Sequence, residues 1–356
     1  MGLACSSSKP LLQLLVVPGN PGFCGFYDKF MLQLAQLFGR HNVDIMAVSH
    51  AGHDSAGLSR GKVWCLDSQI QHKVALLKEH VLAPGRPPAV ILAHSIGSYI
   101  MLQAVKQLEQ EMQAAGTHLQ QQLPKVVLLM PFMATDWSSS RQRVLRFAAS
   151  LAPLLGAVAG AVGRLPGWLQ DRLVALVQPG VEPHARGSMK ALMTAGGVHN
   201  NFHLAQHEFR DLDKPADFGL IRRLGQRAAV VCAPDDMWFP QQHYQQMRSA
   251  LPGIEEYWSD QLTHAFCLES HQCKHVAELV YASVTSSMPH LAACTAQGLQ
   301  ADSGDLAAAA AETLAQGATD TQQQQSDQAE VGAVDMSVLV GEEAASGQAA
   351  KVKVAC

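Results

Sequence analysis

The chain has 356 residues, 48% of them hydrophobic and 16% charged, enough apolar material for a large core. A formal charge of −4 and a pI near 6.4 speak against a nucleic-acid binder, which would carry a basic patch. Eight scattered cysteines include no C-x-x-C pair, so the sequence supports neither a zinc site nor a disulfide framework, and a reduced, cytosol-facing compartment fits best.

The N-terminus lacks the basic and apolar regions of a secretory signal. It reads Met1-Gly2-Leu3-Ala4-Cys5-Ser6, a pattern for myristoylation of Gly2, with Cys5 placed for a second acyl chain. Two chains would anchor the protein to a membrane, where one holds only marginally. Residues 1–10 are therefore expected to be an acylation-type segment.

From residue 11 the pattern changes. Residues 11–17 form an apolar run broken only by Gln13 and ended by Pro18-Gly19, as in a buried parallel strand. Similar runs follow at 43–48, 89–93, 125–130, 228–233 and 254–258. Helical patterns lie between them at 26–38, 68–81, 96–114 and 241–251, with a last one at 271–287. Strands alternating with helices predict a mostly parallel sheet covered on both faces, spanning 11–290. Residues 131–227 interrupt the alternation and read as an inserted helical cap. The tail, 291–356, is rich in Ala, Gln, Gly and Ser and is expected to be disordered.

The predicted strand 89–93 runs into Ala93-His94-Ser95-Ile96-Gly97 and then an apolar helix. A nucleophile on a sharp strand-to-helix turn needs small residues two before and two after it, so Ser95 is the candidate nucleophile, with Ala93 where Gly is usual. A serine hydroxyl needs a base. His264 follows the last predicted strand, and Asp236 follows the strand 228–233, at the edge where an orienting carboxylate belongs. The backbone N–H of Ile96 and one from Asn20, in Pro18-Gly19-Asn20-Pro21-Gly22, would stabilise an oxyanion. No metal or organic cofactor is required.

Within the cap, residues 147–162 are uncharged, preceded by Arg141, Arg143 and Arg146 and followed by Arg164. The stretch is shorter than the roughly 20 residues of a spanning helix, and Pro153, Gly156 and Gly160 weaken it further. It reads as an apolar hairpin or lid helix lying in a membrane interface, with Phe147, Leu151, Leu154, Leu155, Val158, Val162 and Trp168 as the lipid contacts. His199, His203 and His207 share one helical face. No carboxylate stands in a metalloprotease position between them, and Asn200 and Asn201 suggest a solvated surface, so no metal site is expected.

Taken together, Val17-Pro18-Gly19-Asn20-Pro21-Gly22 with Phe26-Tyr27, Ser49-His50-Ala51-Gly52-His53, the Ser95 turn, Asp236-Met237-Trp238-Phe239-Pro240 and His264-Ala265-Phe266 resemble the lipid droplet-associated hydrolase family. The resemblance runs in order over about residues 11 to 288. It implies an α/β-hydrolase fold with Ser95 as nucleophile and His264 as base, and favours Asp236 over Asp235 as the acid. It further implies a neutral-lipid or sterol ester as substrate, at droplets and the endoplasmic reticulum. His50, His53 and His94 are expected to serve structural hydrogen bonding near the site rather than catalysis. The alternative function is a droplet-binding protein that keeps the fold with negligible turnover.

Overall fold

A computed structural model describes residues 9–53, 61–116, 118–178, 181–291 and 353–355. In chain order it contains β1 (Leu12–Val17), α1 (Asp28–Phe38), β2 (Val43–Val48), α2 (Leu66–Leu76), β3 (Ala89–His94), α3 (Ile96–Ala114) and β4 (Lys125–Leu129). Five longer helices follow: α4 (Ser140–Ser150), α5 (Ala152–Val162), α6 (Gly167–Val177), α7 (Pro183–Leu192) and α8 (Ala195–Asp211). After a short α9 (Gly219–Arg222) come β5 (Ala228–Cys232), α10 (Gln241–Ala250), β6 (Glu255–Trp258), α11 (Ser270–Ser287) and a final β7 (Lys353–Ala355).

The strands form one parallel sheet in the order β6-β5-β4-β3-β1-β2-β7. Alternate residues of each inner strand enter opposite cores. Leu15, Val17, Ile91, Ala93, Val126 and Leu128 face one core, shared with α2 and α3. Leu14, Val16, Val90, Leu92, Val127 and Leu129 face the other, against α1 and α11. Burial on both faces is why these strands read as unbroken apolar runs. Gln13 fits because its polar atoms are satisfied: Nε2 donates to the carbonyls of Val81 (3.1 Å) and Pro87 (2.7 Å), and Arg86 donates to Oε1.

The tail requires one amendment. Most of it lies outside the described residues, but Lys353–Ala355 pair in parallel with Met46–Val48 on the edge of β2. The acylation expected at Gly2 and Cys5 also falls outside the described residues. Among the described cysteines, Cys24, Cys65, Cys232, Cys267 and Cys273 form no disulfide.

Between β4 and β5 lie the helices α4–α8, and of the two forms expected for the apolar stretch, a hairpin or one lid helix, it is not one helix. Residues 147–162 are divided at Leu151, where α4 and α5 meet at 80°. Pro153 occupies the first turn of α5, where its missing N–H costs nothing; inside a continuous helix it would clash with the carbonyl four residues back. The glycines have a packing role. A Cβ at Gly156 would meet Ala195 O at 2.8 Å, and one at Gly160 would meet Ala195 Cβ at 2.8 Å, so α5 lies close against α8. Asn200 also departs from expectation: it is fully buried, accepting from Trp64 N and donating to the carbonyls of Lys62 and Gly196.

Candidate active site

β3 delivers Ser95 to the C-terminal edge of the sheet at φ 54 and ψ −127, a strained backbone for a residue with a side chain. The turn is held on both sides: Ser95 N donates to Leu129 O (3.0 Å), and Phe132 N donates to Ser95 O (3.1 Å). Crowding explains the small residue after it, since a Cβ at Gly97 would stand 2.4 Å from Pro18 O. Gly19 is equally constrained, because a Cβ there would stand 2.7 Å from Ser95 Cβ.

Three sequence-distant side chains meet at this edge. Ser95 Oγ lies 2.9 Å from His264 Nε2, and His264 Nδ1 lies 2.8 Å from Asp236 Oδ2. A carboxylate can only accept, so Nδ1–H donates to Asp236 and Nε2 is left to accept from Ser95. Asp236 is 2% exposed, and its second oxygen accepts from Trp238 N at 2.8 Å, which fixes the carboxylate plane. Asp235 is exposed instead. In such a chain the imidazole can withdraw the hydroxyl proton while the carboxylate stabilises the imidazolium that forms.

The loop Pro18–Gly22 is tied down at three successive points. Gly19 N donates to the Tyr27 hydroxyl (3.0 Å). Asn20 Nδ2 donates to Asn201 O (3.0 Å) and to Glu208 Oε1 (3.1 Å), both on α8. Gly22 N donates to His53 Nδ1 (3.0 Å), and His50 N donates to Gly22 O (2.7 Å). His53 thus braces this loop through its ring and His50 through its backbone N–H only; among the described residues the buried His50 ring has no hydrogen-bond partner, unlike the structural role expected of it. Burial, reinforced by the Lys73 charge, lowers His53 to about 3, so its ring stays neutral and Nδ1 remains an acceptor.

Sequence reasoning expected a structural hydrogen-bonding role for His94 and gave none to Tyr27 or Glu208. The His94 ring spans the site: Nδ1 lies 2.6 Å from the Tyr27 hydroxyl and Nε2 lies 2.9 Å from His264 O. Burial first, and then the nearby His264, push His94 well below the usual histidine range. It is therefore neutral, with Nε2–H donating to the carbonyl and Nδ1 accepting from the tyrosine. Tyr27 was legible only as part of a matched motif. Glu208 gave no signal, because nothing local links a cap residue to a loop 188 positions away.

The cap presents an apolar surface. Phe147 (69% exposed), Leu154, Val158 and Trp168 project from it, with Leu151 at its margin; Val144, Leu165 and Leu176 extend it beyond the expected set. Leu155 and Val162 are half-buried and contribute less. Arg146 stacks over Trp137 at 4.5 Å and Arg172 over Trp168 at 5.6 Å. Among the described residues, no single helix is long and apolar enough to cross a membrane. On α8, Arg210 donates to His207 Nδ1 at 2.6 Å, so that nitrogen is already engaged.

A parallel sheet bearing a strained serine at the end of β3, with an acid and a histidine on later loops, defines an α/β-hydrolase fold. Two solved structures share it: a peroxisomal alpha-beta-hydrolase of Saccharomyces cerevisiae (TM-score 0.52, 13% identity, covering 77% of this chain and 78% of that one) and E-2-(acetamidomethylene)succinate hydrolase (TM-score 0.50, 14% identity, covering 79% and 92%). The family model of lipid-droplet associated hydrolases matches residues 10–267, and the chain belongs to that family. The lipid droplet-associated hydrolase of Gallus gallus is 25% identical over 74% of this chain and 82% of its own length. That of Homo sapiens is 36% identical over 29% of this chain, a match spanning about a third (35%) of the human protein.

Proposed function

We propose that the protein is a serine ester hydrolase that cleaves neutral-lipid esters, sterol esters or acylglycerols, at the surface of lipid droplets and the cytosolic face of the endoplasmic reticulum. The observation that carries this reading is the Ser95–His264–Asp236 chain, with spacings of 2.9 and 2.8 Å. Ser95 Oγ attacks the ester carbonyl carbon as His264 Nε2 takes its proton. The backbone N–H groups of Ile96 and Asn20 hold the oxyanion. Collapse of the tetrahedral intermediate breaks the carbon–alkoxide bond, and His264 returns the proton to the departing alcohol. Water then adds to the acyl-enzyme by the same route and frees the acid and Ser95. This chemistry calls for neither a metal nor an organic cofactor.

The apolar cap face supports the choice of a lipid surface. Exposed side chains of this size gain about 1.5–3 kcal/mol each when fully transferred from water. The arginines that precede and follow residues 147–162 suit head-group level.

A second reading, a droplet-binding protein with negligible turnover, is favoured by one observation: Ser95 is only 6% exposed. One assay separates the two. Wild type and Ser95→Ala are given emulsified cholesteryl oleate or triolein, and released oleate is measured. The enzyme reading expects release by wild type alone. Equal background from both proteins supports the binding protein.

A further inference from the structure

The side chain of Asn20 has two amide protons, and α8 takes both. One goes to the Asn201 carbonyl at 3.0 Å and the other to Glu208 Oε1 at 3.1 Å. Glu208 is 3% exposed and lies on the inner face of α8, whose Leu204 and Phe209 are also buried. We propose that Glu208 is a positioning residue that, through the Asn20 side chain, sets the oxyanion-stabilising loop beside Ser95 and so couples the cap to the reaction. The inference rests on the serine-hydrolase reading and deepens it.

Three observations carry the assignment. First, the Gly19 N–H is already spent on the Tyr27 hydroxyl at 3.0 Å, so the next N–H along the loop, that of Asn20, is the one left for an oxyanion. Where it sits depends on what holds Asn20. Second, a carboxyl group is a costly way to fill a buried space; leucine or methionine would fill it without the desolvation penalty. Among the described residues the Glu208 carboxyl has one hydrogen-bond partner, Asn20. Burial raises its pKa to about 8, so at neutral pH it is a carboxylic acid that accepts from Asn20 through an oxygen and leaves no bare charge beside the site. Third, α8 packs closely on α5, where Gly156 and Gly160 admit its backbone and side chains. The helix thus runs from the apolar cap surface to the loop beside Ser95.

The test compares wild type, Glu208→Gln, Glu208→Leu, Asn20→Ala and the Glu208→Leu/Asn20→Ala pair. Each is treated with a fluorophosphonate, and the limiting rate of Ser95 modification and the half-saturating concentration are measured beside the melting temperature. Asn20→Ala keeps the backbone N–H and removes only the anchor. Displacing a donor by a fraction of an ångström to 1 Å slows a reaction by up to about 100-fold. The expected result is a limiting rate about 10- to 100-fold lower in Glu208→Leu and in Asn20→Ala, with half-saturation nearly unchanged. Glu208→Gln keeps an acceptor and stays within about threefold of wild type. The double variant is no slower than the slower single variant, because both remove one connection.

A Glu208→Leu protein that reacts at the wild-type rate overturns the proposal and leaves the serine-hydrolase reading intact. So do multiplicative losses in the double variant. If Glu208→Leu does not fold, Asn20→Ala and Glu208→Gln decide: wild-type rates in Asn20→Ala, or a large loss in a folded Glu208→Gln, overturn it. A wild type that is never modified at Ser95 overturns both readings together.

Discussion

The Tyr27 hydroxyl lies 2.6 Å from Nδ1 of His94, and through that contact one hydrogen-bonded path joins the Gly19 N–H to the carbonyl of His264. The loop beside the nucleophile and the backbone of the base are therefore held by the same two side chains. Tyr27→Phe deletes the acceptor for Gly19 and the donor for His94 together. Leaving buried groups unsatisfied costs about 1–3 kcal/mol. We expect a lower melting temperature, and a rate of Ser95 modification that falls further than the loss of folded protein explains. Stopped-flow or gel-based kinetics at a temperature where both proteins are folded checks this.

Gly19 tests the loop from the other side. A methyl group placed 2.7 Å from Ser95 Cβ must displace either the loop or the nucleophile turn. Gly19→Ala is expected to fold, because the loop lies at an edge of the sheet, and to react about 10- to 100-fold more slowly with fluorophosphonate. A wild-type rate would show that the loop can move without consequence.

The fold and most of the site are legible in the sequence because their signals are local. Buried parallel strands read as apolar runs, a nucleophile turn needs small neighbours, and Asp236 and His264 sit just beyond strand ends. What fails to show depends on long-range closure. Glu208 and Asn201 matter only because α8 folds back onto Asn20. Asn200 reads as a surface residue, yet Lys62 and Trp64 bury it. Pro153 sets the break between α4 and α5, and composition alone leaves a hairpin and a single lid helix equally open for residues 147–162.

Stability should fall on acidification. Burial holds His50 and His94 well below 6.5 and lowers His53 to about 3. Below pH 6.5 the unfolded chain binds protons at these three positions while the native protein does not, so stability falls as pH falls. Each histidine contributes up to about 1.4 kcal/mol per pH unit. Glu208 acts in the opposite sense, retaining in the native state, up to about pH 8, a proton that the unfolded chain has lost. His72, lowered to about 4 by burial, adds to these three, and Asp28, raised by burial, adds to Glu208; the histidines outnumber the acids. Lys73 titrates only above this window, at about 7. Melting temperatures are therefore expected to drop from pH 7 to pH 5; a flat profile would contradict the buried neutral histidines.

The cap face predicts a separation of binding from stability. Phe147→Asp with Leu154→Asp changes two exposed side chains, so the melting temperature should stay within about 2 °C. Flotation with triolein droplets coated in phosphatidylcholine should lose the variant from the droplet layer. The experiment is run on protein without N-terminal acylation, so that no acyl chain masks the result. Unchanged flotation would remove this face as the lipid contact.

The most direct test of the central claim is covalent. Wild type and Ser95→Ala are incubated with a fluorophosphonate, with and without emulsified lipid, and the modified peptide is identified by mass spectrometry. One adduct is expected, on Ser95, and none in Ser95→Ala; faster formation with lipid would add that a lipid surface opens the site. Wild type that remains unmodified in both conditions, or an adduct that persists in Ser95→Ala, would contradict that claim.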